Sequence, residues 1–407
     1  MVGWNAGAVA LSRGSLARPV PLAAVRRMRP GRRAAGVLAA VLAAGAAAAP
    51  VRAQQPQAAP GPGIVRGTVR GLDGGPIPYA VVALLPGYDL RFTDASGAFV
   101  FQNVAPAAYH LLARQVGFRP RDTTVVVVSG RTREVPLVLE HLMVRLEAIQ
   151  IVASRGCTDP GPPDSTAAPD LARVFSQLDL NAERYRLLAG TYPFHFRMQR
   201  AFTNYNAQGA VVSSETDTVR YLSTAVPAYR AGQVVTWGRG RGNERGLVLD
   251  LPTLSDFADS DFQASHCFVY EGVVNDSGKP LVRFAFQPAQ SIRTPDIEGY
   301  VELDSVSYQV RRALVRLTHP GRALEGLADA SSNITFAELY PNVVVQTRVH
   351  SELQPFIQLG VQNQVVRYVQ DQRLLNVDFL RQLPGARPSV RLAGTVFPRS
   401  GRSASAD

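Results

Sequence analysis

The sequence predicts a mainly β protein: a seven-stranded β-sandwich followed by a larger curled antiparallel β-sheet domain with one amphipathic helix. Between Gly63 and Ser154, short alternating runs are separated by Gly, Pro, Asp and Asn at about the 8–12-residue intervals typical of sandwiches. A helical pattern follows, and then longer alternating runs. With 46% hydrophobic and 18% charged residues, the chain can bury sizeable cores.

Composition divides the 407 residues into six regions. In order they are a signal peptide (1–53), a disordered leader (54–62), the sandwich (63–154), a linker (155–169), the β-rich second domain (170–383) and a disordered tail (384–407). The leader and the linker are rich in proline and lack apolar periodicity, which is typical of tethers.

The first 53 residues have the pattern of an export signal. The basic stretch RRMRPGRR precedes the apolar run Ala34–Ala49, and Val51-Arg52-Ala53 supplies a small-residue cleavage site. Eight arginines and no acidic residue lie in this segment, so it accounts for most of the net charge of +11. The charge therefore does not indicate a nucleic-acid partner, and we expect an exported protein of the periplasm or outer membrane, or a secreted one. No transmembrane helix is expected in the mature chain.

The strands of the first domain can be assigned one by one. IVRGTVRG and YAVVALLP flank the turn GLDGGPIP, and GAFVFQNV places Phe99 and Phe101 on one face with Val100 on the other. AAYHLLARQVGF then alternates Tyr109 and Leu111 with polar positions, and TTVVVV and EVPLVLEHL complete about seven strands. This is the pattern of a small all-β sandwich.

One stretch, TDASGAFVFQNVAPAAYH, brings a carboxylate, a hydroxyl and an imidazole close together in sequence. We interpret Asp94 and Ser96 as turn formers whose short polar side chains bond nearby backbone, with Gly97 completing the turn. His110 follows Tyr109 and is expected on the other side of the strand. The stretch therefore predicts a scaffold and not an active site.

Residues at fixed spacing run through the first domain: Gly67-x-Val69, Asp73-Gly74, Pro76-x-Pro78, Ala80-x-Val82, Thr93-Asp94-x-x-Gly97-x-Phe99, Pro106-x-x-Tyr109 and Val116-Gly117-Phe118. This pattern resembles the carboxypeptidase regulatory-like domain, a transthyretin-like sandwich, with Ala107 standing where that family usually has glycine. The resemblance implies a domain that accompanies peptidases without carrying their chemistry. Leu146–Ser154 (LEAIQIVAS) is similar to the strand that joins such a domain to the plug of TonB-dependent receptors.

The second domain opens with a predicted helix in PDLARVFSQLDLNAERYRLLAG, ended by Gly190. Its apolar face consists of Leu171, Val174, Phe175, Leu178, Ala182 and Tyr185. VRFAFQPA and GYVELDSVSYQVRRALVRL alternate as strands, and a change of apolar parity predicts a bulge near Arg311-Arg312. NDSG within VVNDSGKPLVRF predicts a hairpin turn.

The segment FQP, then Glu298–Asp304, then Tyr308-Gln309-Val310 resembles strands of periplasmic lipoprotein-carrier-like half-barrels. That resemblance implies an antiparallel sheet that curls around a helix and holds acyl chains. It consists mainly of strand pattern and covers a short part of the domain.

Two cysteines, Cys157 and Cys267, remain after removal of the signal peptide. In an exported protein an even pair predicts a disulfide, worth about 4–5 kcal/mol on the chain-entropy model. The alternative is two unrelated thiols.

The glycine-rich stretch GRGRGNERG offers Arg239, Arg241 and Arg245 as a candidate anion-binding loop. A strict phosphate-loop glycine pattern is absent, and a glycine-rich hairpin is the favoured interpretation. The sequence contains no H-E-x-x-H zinc motif and no G-x-S-x-G nucleophile elbow. We therefore name no catalytic residue, metal ligand or cofactor.

The function that follows is a non-enzymatic, exported cell-envelope protein that binds or scaffolds through the sandwich. One alternative is a periplasmic carrier of a lipid or lipoprotein acyl chain in the second domain. Another is glycan binding by the sandwich, which rests on fold analogy. The partner is thus an envelope protein, a glycan or a lipid.

Overall fold

The computed structural model of the 407-residue chain describes residues 8–9, 61–87, 89–144, 156–225, 229–239, 245–355, 364–386 and 389–391. The strands are β1 (Ala8–Val9), β2 (Gly63–Gly71), β3 (Val81–Leu85), β4 (Asp89–Phe92), β5 (Ala98–Val104), β6 (Ala108–Arg114), β7 (Arg121–Val126), β8 (Thr132–Leu139), β9 (Phe194–Asn206), β10 (Val211–Leu222), β11 (Val235–Arg239), β12 (Arg245–Leu249), β13 (His266–Asp276), β14 (Lys279–Pro288), β15 (Ile297–Asp304), β16 (Val310–Leu317), β17 (Leu327–Tyr340), β18 (Val343–Pro355), β19 (Val365–Phe379) and β20 (Ser389–Arg391). The helices are α1 (Pro169–Thr191), α2 (Ser260–Ser265) and α3 (Pro320–Ala323), with a 3₁₀ turn at Asp256–Ala258.

The first domain is the predicted seven-stranded sandwich. Its sheets have the orders β5-β2-β8 and β4-β3-β6-β7, and β2 runs parallel to β8. The alternation predicted for β5 is confirmed, because Phe99 and Phe101 are 5% and 0% exposed whereas Val100 is 43% exposed. These rings and Leu111 belong to one apolar core between the two sheets.

Strand β3 is buried on both sides. Val82 and Leu84 face the sandwich core, yet Val81 and Ala83 on the opposite side are also buried. A strand covered on both faces reads as a continuous apolar run, which is what VVALL shows. The outer face of this sheet is therefore covered by another part of the molecule, which is helix α1.

The second domain contains an antiparallel sheet of ten strands, in the order β10-β9-β19-β18-β17-β16-β15-β14-β13 with β20 beside β19. Strands β11 and β12 belong to a separate three-stranded sheet of order β1-β12-β11. Strands β13 to β19 follow one another as a meander, and β19 returns to pair with β9. The predicted bulge is confirmed: Glu302 pairs with Arg312 and Leu303 with Val310, which leaves Arg311 as the extra residue. The predicted turn is confirmed as well, with Ser277 and Gly278 at φ values of 52° and 85°, as a two-residue hairpin loop requires.

Helix α1 packs on the inner face of this sheet. Val174, Phe175 and Leu178 share one core with inward-facing residues of β14 to β18. The Phe175 ring lies 4.7 Å from that of Phe268 and 6.1 Å from that of Phe284, centroid to centroid. The amphipathic face predicted from the sequence is thus the face that fills the curled sheet.

The predicted disulfide between Cys157 and Cys267 is present. It ties the linker to edge strand β13, where Gly161 N–H also donates to His266 O at 2.9 Å. At the other end of the domain, ordered structure extends into the predicted tail: β20 pairs with β19, and Tyr79 Oη donates to Pro384 O at 3.2 Å. The boundary placed at 384 is therefore too early, because contacts with the sandwich and with β19 hold this segment.

Candidate ligand-binding groove

The two domains are joined through the polar side of α1. Arg184 Nη2 donates to Tyr79 O at 2.7 Å, and Gly117 N–H donates to Gln177 Oε1 at 2.8 Å. A salt bridge of 2.8 Å links Arg114 to Glu183. Burial at this junction lowers the pKa of Arg184 to about 10, which leaves it charged at neutral pH.

The turn between β17 and β18 of the second domain also contacts the sandwich. Asn342 Nδ2 donates to Pro78 O at 3.0 Å. Tyr79 also belongs to an apolar cluster of the second domain, and Val116 belongs to the larger one that contains α1. Several buried bonds and apolar contacts therefore set the orientation of the sandwich on the second domain.

A groove of about 800 Å³ opens beside this junction. Its floor and one side come from β5 and β2, its other side from β4, and its end from the second domain. The lining residues are Arg66, Gly67 and Thr68 of β2, Arg91 and Phe92 of β4, Asp94, Ala98, Phe99, Val100 and Gln102 of β5 and its turn, Glu134 of β8, and Tyr192 and Pro384 of the second domain. Because the domains are fixed to each other, the shape of the groove is fixed too.

The groove runs along an edge strand. In the described part of the chain, β5 pairs with β2 on one side and with no strand on the other. Val69 N–H donates to Gly97 O at 2.8 Å, so these two residues form a hydrogen-bonded pair. Hydrogen-bonded and non-hydrogen-bonded pairs alternate along the two strands from this point. Since backbone direction alternates along a regular strand, Phe99 points its peptide groups towards β2. Val100 points its N–H and C=O, and Gln102 its N–H, away from β2 at the free edge beside the groove, and a bulge at Gln102–Asn103 then interrupts the alternation.

The groove has a largely apolar surface that also carries charged side chains of both signs. Arg66 Nε donates to Glu134 Oε1 at 3.0 Å, and both side chains are exposed. Arg91 pairs with Asp89 at the opposite wall. An exposed pair of this kind contributes little to stability, so its groups remain available to a ligand.

An aromatic pair closes one end of the groove. The rings of Phe92 and Tyr192 lie 6.0 Å apart, and the guanidinium of Arg381 lies 5.6 Å from the Tyr192 ring. Phe92 is half-buried, so part of its ring borders the open space. This end of the groove therefore offers an apolar surface beside hydrogen-bonding groups.

Asp94 serves the turn, as predicted from the sequence. Its Oδ1 accepts from Ser96 N–H at 2.8 Å, from Ser96 Oγ at 2.7 Å and from Ala98 N–H at 3.0 Å. Partial burial opposes ionisation of Asp94, but these hydrogen bonds outweigh it and lower the pKa of the carboxyl. Asp94 is therefore a saturated acceptor, and His110 lies on the exposed side of β6 facing Asp122 at 3.2 Å.

The candidate anion loop lies between strands β11 and β12. Strands β11 and β12 pair antiparallel, with Arg239 opposite Arg245. Arg241 and the side chains of the other two arginines lie outside the described residues, so anion binding there stays a prediction. The segment Leu146–Ser154 (LEAIQIVAS) lies outside them as well.

A small cavity lies beside α1, near the junction with the sandwich. It has a volume of about 20 Å³ and lies among Asn181, Arg184, Leu188 and strand β18. That volume holds about one water molecule. In the described residues no three His, Cys, Asp or Glu side chains are grouped to hold a metal ion, and none of the helices described is long and apolar enough to cross a membrane.

Sequence reasoning did not single out the groove residues. Arg66, Arg91, Gln102 and Glu134 occupy polar positions of strands, where charged residues are ordinarily solvated. The signal that was present is the composition of β5: AFVFQNV contains neither a charge nor a proline. Edge strands usually carry one or the other.

Comparisons with known proteins concern the parts of this architecture. No curated protein matches the chain. Among solved structures, the chain is similar to the minor pilin GBS52 of Streptococcus agalactiae, at 16% identity and a TM-score of 0.19, over 22% of this chain and 49% of the pilin, about half its length. It is also similar to a structure described as a putative outer membrane lipoprotein-sorting protein domain from Vibrio parahaemolyticus, at 12% identity and a TM-score of 0.29, over 52% of this chain and 95% of that one.

A DUF1329 family protein from Desulfovibrio piger is similar at 9% identity and a TM-score of 0.29, over 50% of this chain and 92% of that one. The family comparison bears on the sandwich. Residues 64–140 match the model of the carboxypeptidase regulatory-like domain, which confirms the resemblance drawn from their sequence.

Proposed function

We propose that this chain is a non-enzymatic binding module of an exported cell-envelope protein, and that its ligand binds in the groove between the sandwich and the second domain. One observation carries the proposal: a groove of about 800 Å³ built by residues of both domains. Its size lies within the range of about 300–1,000 Å³ that ligand sites occupy.

The chemistry of the lining supports binding. The groove presents the guanidinium groups of Arg66 and Arg91, the amide of Gln102 and the carboxylate of Glu134 beside the ring of Phe92. These groups donate and accept hydrogen bonds and offer an apolar contact. Histidine and cysteine, the side chains most used as bases and nucleophiles, are absent from the lining.

The carrier alternative needs a cavity that accepts an acyl chain. The space of about 20 Å³ beside α1 has room for a water molecule and not for such a chain. The packing of α1 against the sheet therefore supports the groove over the interior as the place of binding.

Site-specific photo-crosslinking tests the proposal. Benzoylphenylalanine replaces Val100 inside the groove or, as a control, Val126 on β7, which is 60% exposed and outside the groove lining. After irradiation in an envelope extract, we expect a discrete adduct from the position 100 variant and none from the position 126 variant. Equal adducts at both positions, or none at position 100, would contradict the proposal.

Export has a separate check. The proposed cleavage after Ala53 gives a mature protein that begins at Gln54. N-terminal sequencing of the protein from the envelope fraction is expected to return QQPQAAP. An intact Met1 or Met28 terminus in that fraction would contradict cleavage at this site.

A further inference from the structure

We propose that the ligand of the groove is an extended segment of polypeptide, which binds by adding a strand to the free edge of β5. The inference rests on the proposed function, and it adds the class of ligand and the backbone groups that recognise it. A segment of about five residues would pair with Val100 and Gln102.

The first argument is the direction of the backbone. The ladder between β2 and β5 leaves the N–H and C=O groups of Val100 and the N–H of Gln102 pointing away from β2, at the free edge beside the groove. Backbone hydrogen-bonding groups that face outward at every second residue have the spacing of the groups on another extended chain, so such a chain can pair with them. Strand addition is a known mode of peptide recognition, in which main-chain hydrogen bonds supply affinity.

The second argument is the absence of protection on this edge. The other three edge strands of the described sandwich carry charges or proline: β4 is DLRF, β7 is RDTTVV and β8 is TREVPLVL. Strand β5 is AFVFQNV and has neither. Charge, proline and bulges are among the means by which proteins block unwanted strand pairing. The only one of these in β5 is a bulge at Gln102–Asn103, where Asn103 has a φ of 57°, so the part of the edge before the bulge is left open.

The third argument is the width of the space. Tyr192 and Pro384 of the second domain line the groove together with β5, so the space beside this edge is bounded by the second domain. One strand between packed sheets occupies about 160 Å³ per residue, from a strand spacing of about 4.8 Å, a sheet spacing of about 10 Å and a rise of about 3.3 Å. A groove of about 800 Å³ therefore holds one strand of about five residues.

Side chains would then supply specificity. On one face of the added strand, a residue would lie beside the exposed Val100 side chain, with Arg66 one strand further away. On the other face, residues would contact Phe92 and Tyr192. We expect apolar residues at these alternate positions and no proline among the residues that pair with β5.

The test uses peptides as the probe. A hexapeptide library displayed on phage is selected on the mature chain, and the enriched peptides are synthesised and titrated by fluorescence anisotropy. A scan that N-methylates each peptide position in turn then removes one N–H at a time. Strand addition predicts that methylation weakens binding about tenfold or more at alternate positions and little at the positions between them.

Variants of the chain provide the second arm. Val100→Pro removes the N–H that points away from β2 beside the groove, and we expect binding to fall about tenfold. Val100→Thr keeps that N–H and is expected to bind within twofold of the unchanged chain. The methylation scan uses the unchanged chain, so its result does not depend on the folding of the proline variant.

Three outcomes would overturn the inference: a library without binders, a flat methylation scan, or oligosaccharides from muramidase-digested cell wall that bind where peptides do not. If the position 100 variant still gives a crosslink alongside any of these outcomes, the groove remains the proposed binding site and only the proposal of a peptide ligand fails. Absence of the crosslink would remove the proposed function itself.

Discussion

The sandwich and the second domain bury different kinds of residue. Within the part of the chain that the structure describes, the buried polar side chains of the sandwich are Thr93 and Gln115. The other buried polar or charged side chains described lie in the second domain, among them His266, Asp296 and Glu302. An apolar core with alternating strands can be recognised from sequence, since its pattern is local. A core closed by buried charges depends on partners distant in sequence, and local patterns do not reveal them.

Asp296 shows how the second domain satisfies such a group. Its carboxylate is fully buried and accepts from Tyr229 Oη at 2.9 Å, from Gly232 N–H at 2.8 Å and from Ile297 N–H at 2.8 Å. Three donors compensate for the loss of water around the carboxylate. The segment that enters β11 is thereby fastened to the start of β15.

Other groups in the same core have no such compensation. Gln370 is 0% exposed, and neither its amide nitrogen nor its amide oxygen has a hydrogen-bond partner. An unpaired buried polar group costs about 1–3 kcal/mol. The sandwich has one such group as well, since Gln115 is 0% exposed and both of its amide atoms lack a partner. The comparison teaches that the two domains differ in their buried charges and not in their unpaired amides.

The largest expected effect comes from the disulfide. Replacing both Cys157 and Cys267 by serine frees a loop with a sequence separation of 110 residues. We expect the free energy of unfolding of the second domain to fall by about 4 kcal/mol. Hydrogen exchange in increasing urea, followed separately for each domain, measures this. Equal loss in the sandwich would show that the two domains unfold as one unit.

The next largest effect on stability is expected from removing the charge of a buried glutamate, with an exposed glutamate as the matched control. Glu302 is fully buried between Arg283 at 2.6 Å and Arg312 at 2.7 Å, and Glu302→Gln is expected to destabilise the second domain by about 3 kcal/mol. Glu134→Gln alters the exposed pair with Arg66 in the sandwich and is expected to cost less than about 1 kcal/mol. Chemical denaturation of both variants makes the comparison. Similar costs would contradict the difference drawn between the domains.

Removing the charge of Asp179 on α1 is expected to stabilise the second domain, whereas removing the charge of Glu302 is expected to destabilise it. Burial raises its pKa to about 6, although Gln263 Nε2 donates to its Oδ1. Because the folded-state pKa lies above the unfolded value, protonation favours the fold, and stability falls as pH rises from about 4 to about 6. Asp179→Asn keeps the acceptor and removes the charge. We expect a gain of about 2 kcal/mol at pH 7, and a loss there would refute the argument.

The smallest expected effect is a pH dependence at His350. Its Nδ1 and Nε2 lie 3.0 Å from Asp371 Oδ1 and 3.0 Å from Glu352 Oε1, and the bond to Asp371 raises the pKa of the imidazole despite partial burial. Arg348, 3.2 Å from Asp371, shares that carboxylate. The resulting stabilisation is complete below the unfolded pKa of about 6.5 and disappears as pH rises through the higher folded value.

We therefore expect the second domain to lose about 0.5–1 kcal/mol as pH rises past the pKa of His350, and His350→Gln to abolish this slope. An NMR titration of the imidazole gives the pKa directly. A value below that of a free histidine would contradict the assignment.

The sequence predicted much of the fold and little of the site. The strands of the sandwich, helix α1, the bulge at Arg311 and the turn at Ser277-Gly278 follow from local periodicity and turn chemistry. The return of β19 onto β9 does not, because pairing between strands so far apart leaves no local signal. The groove escaped prediction for the same reason, since Tyr192 and Pro384 meet β5 only after the domains pack.

Hydrogen–deuterium exchange of the mature chain, with and without a peptide selected from the library, tests the central claim most directly. If the peptide adds a strand to β5, exchange slows at the amides of Val100 and Gln102, which point away from β2 beside the groove, and α1 remains unchanged. Protection of α1 and of the inward-facing strands β14 to β18, with β5 unchanged, would contradict the account and place the ligand inside the second domain.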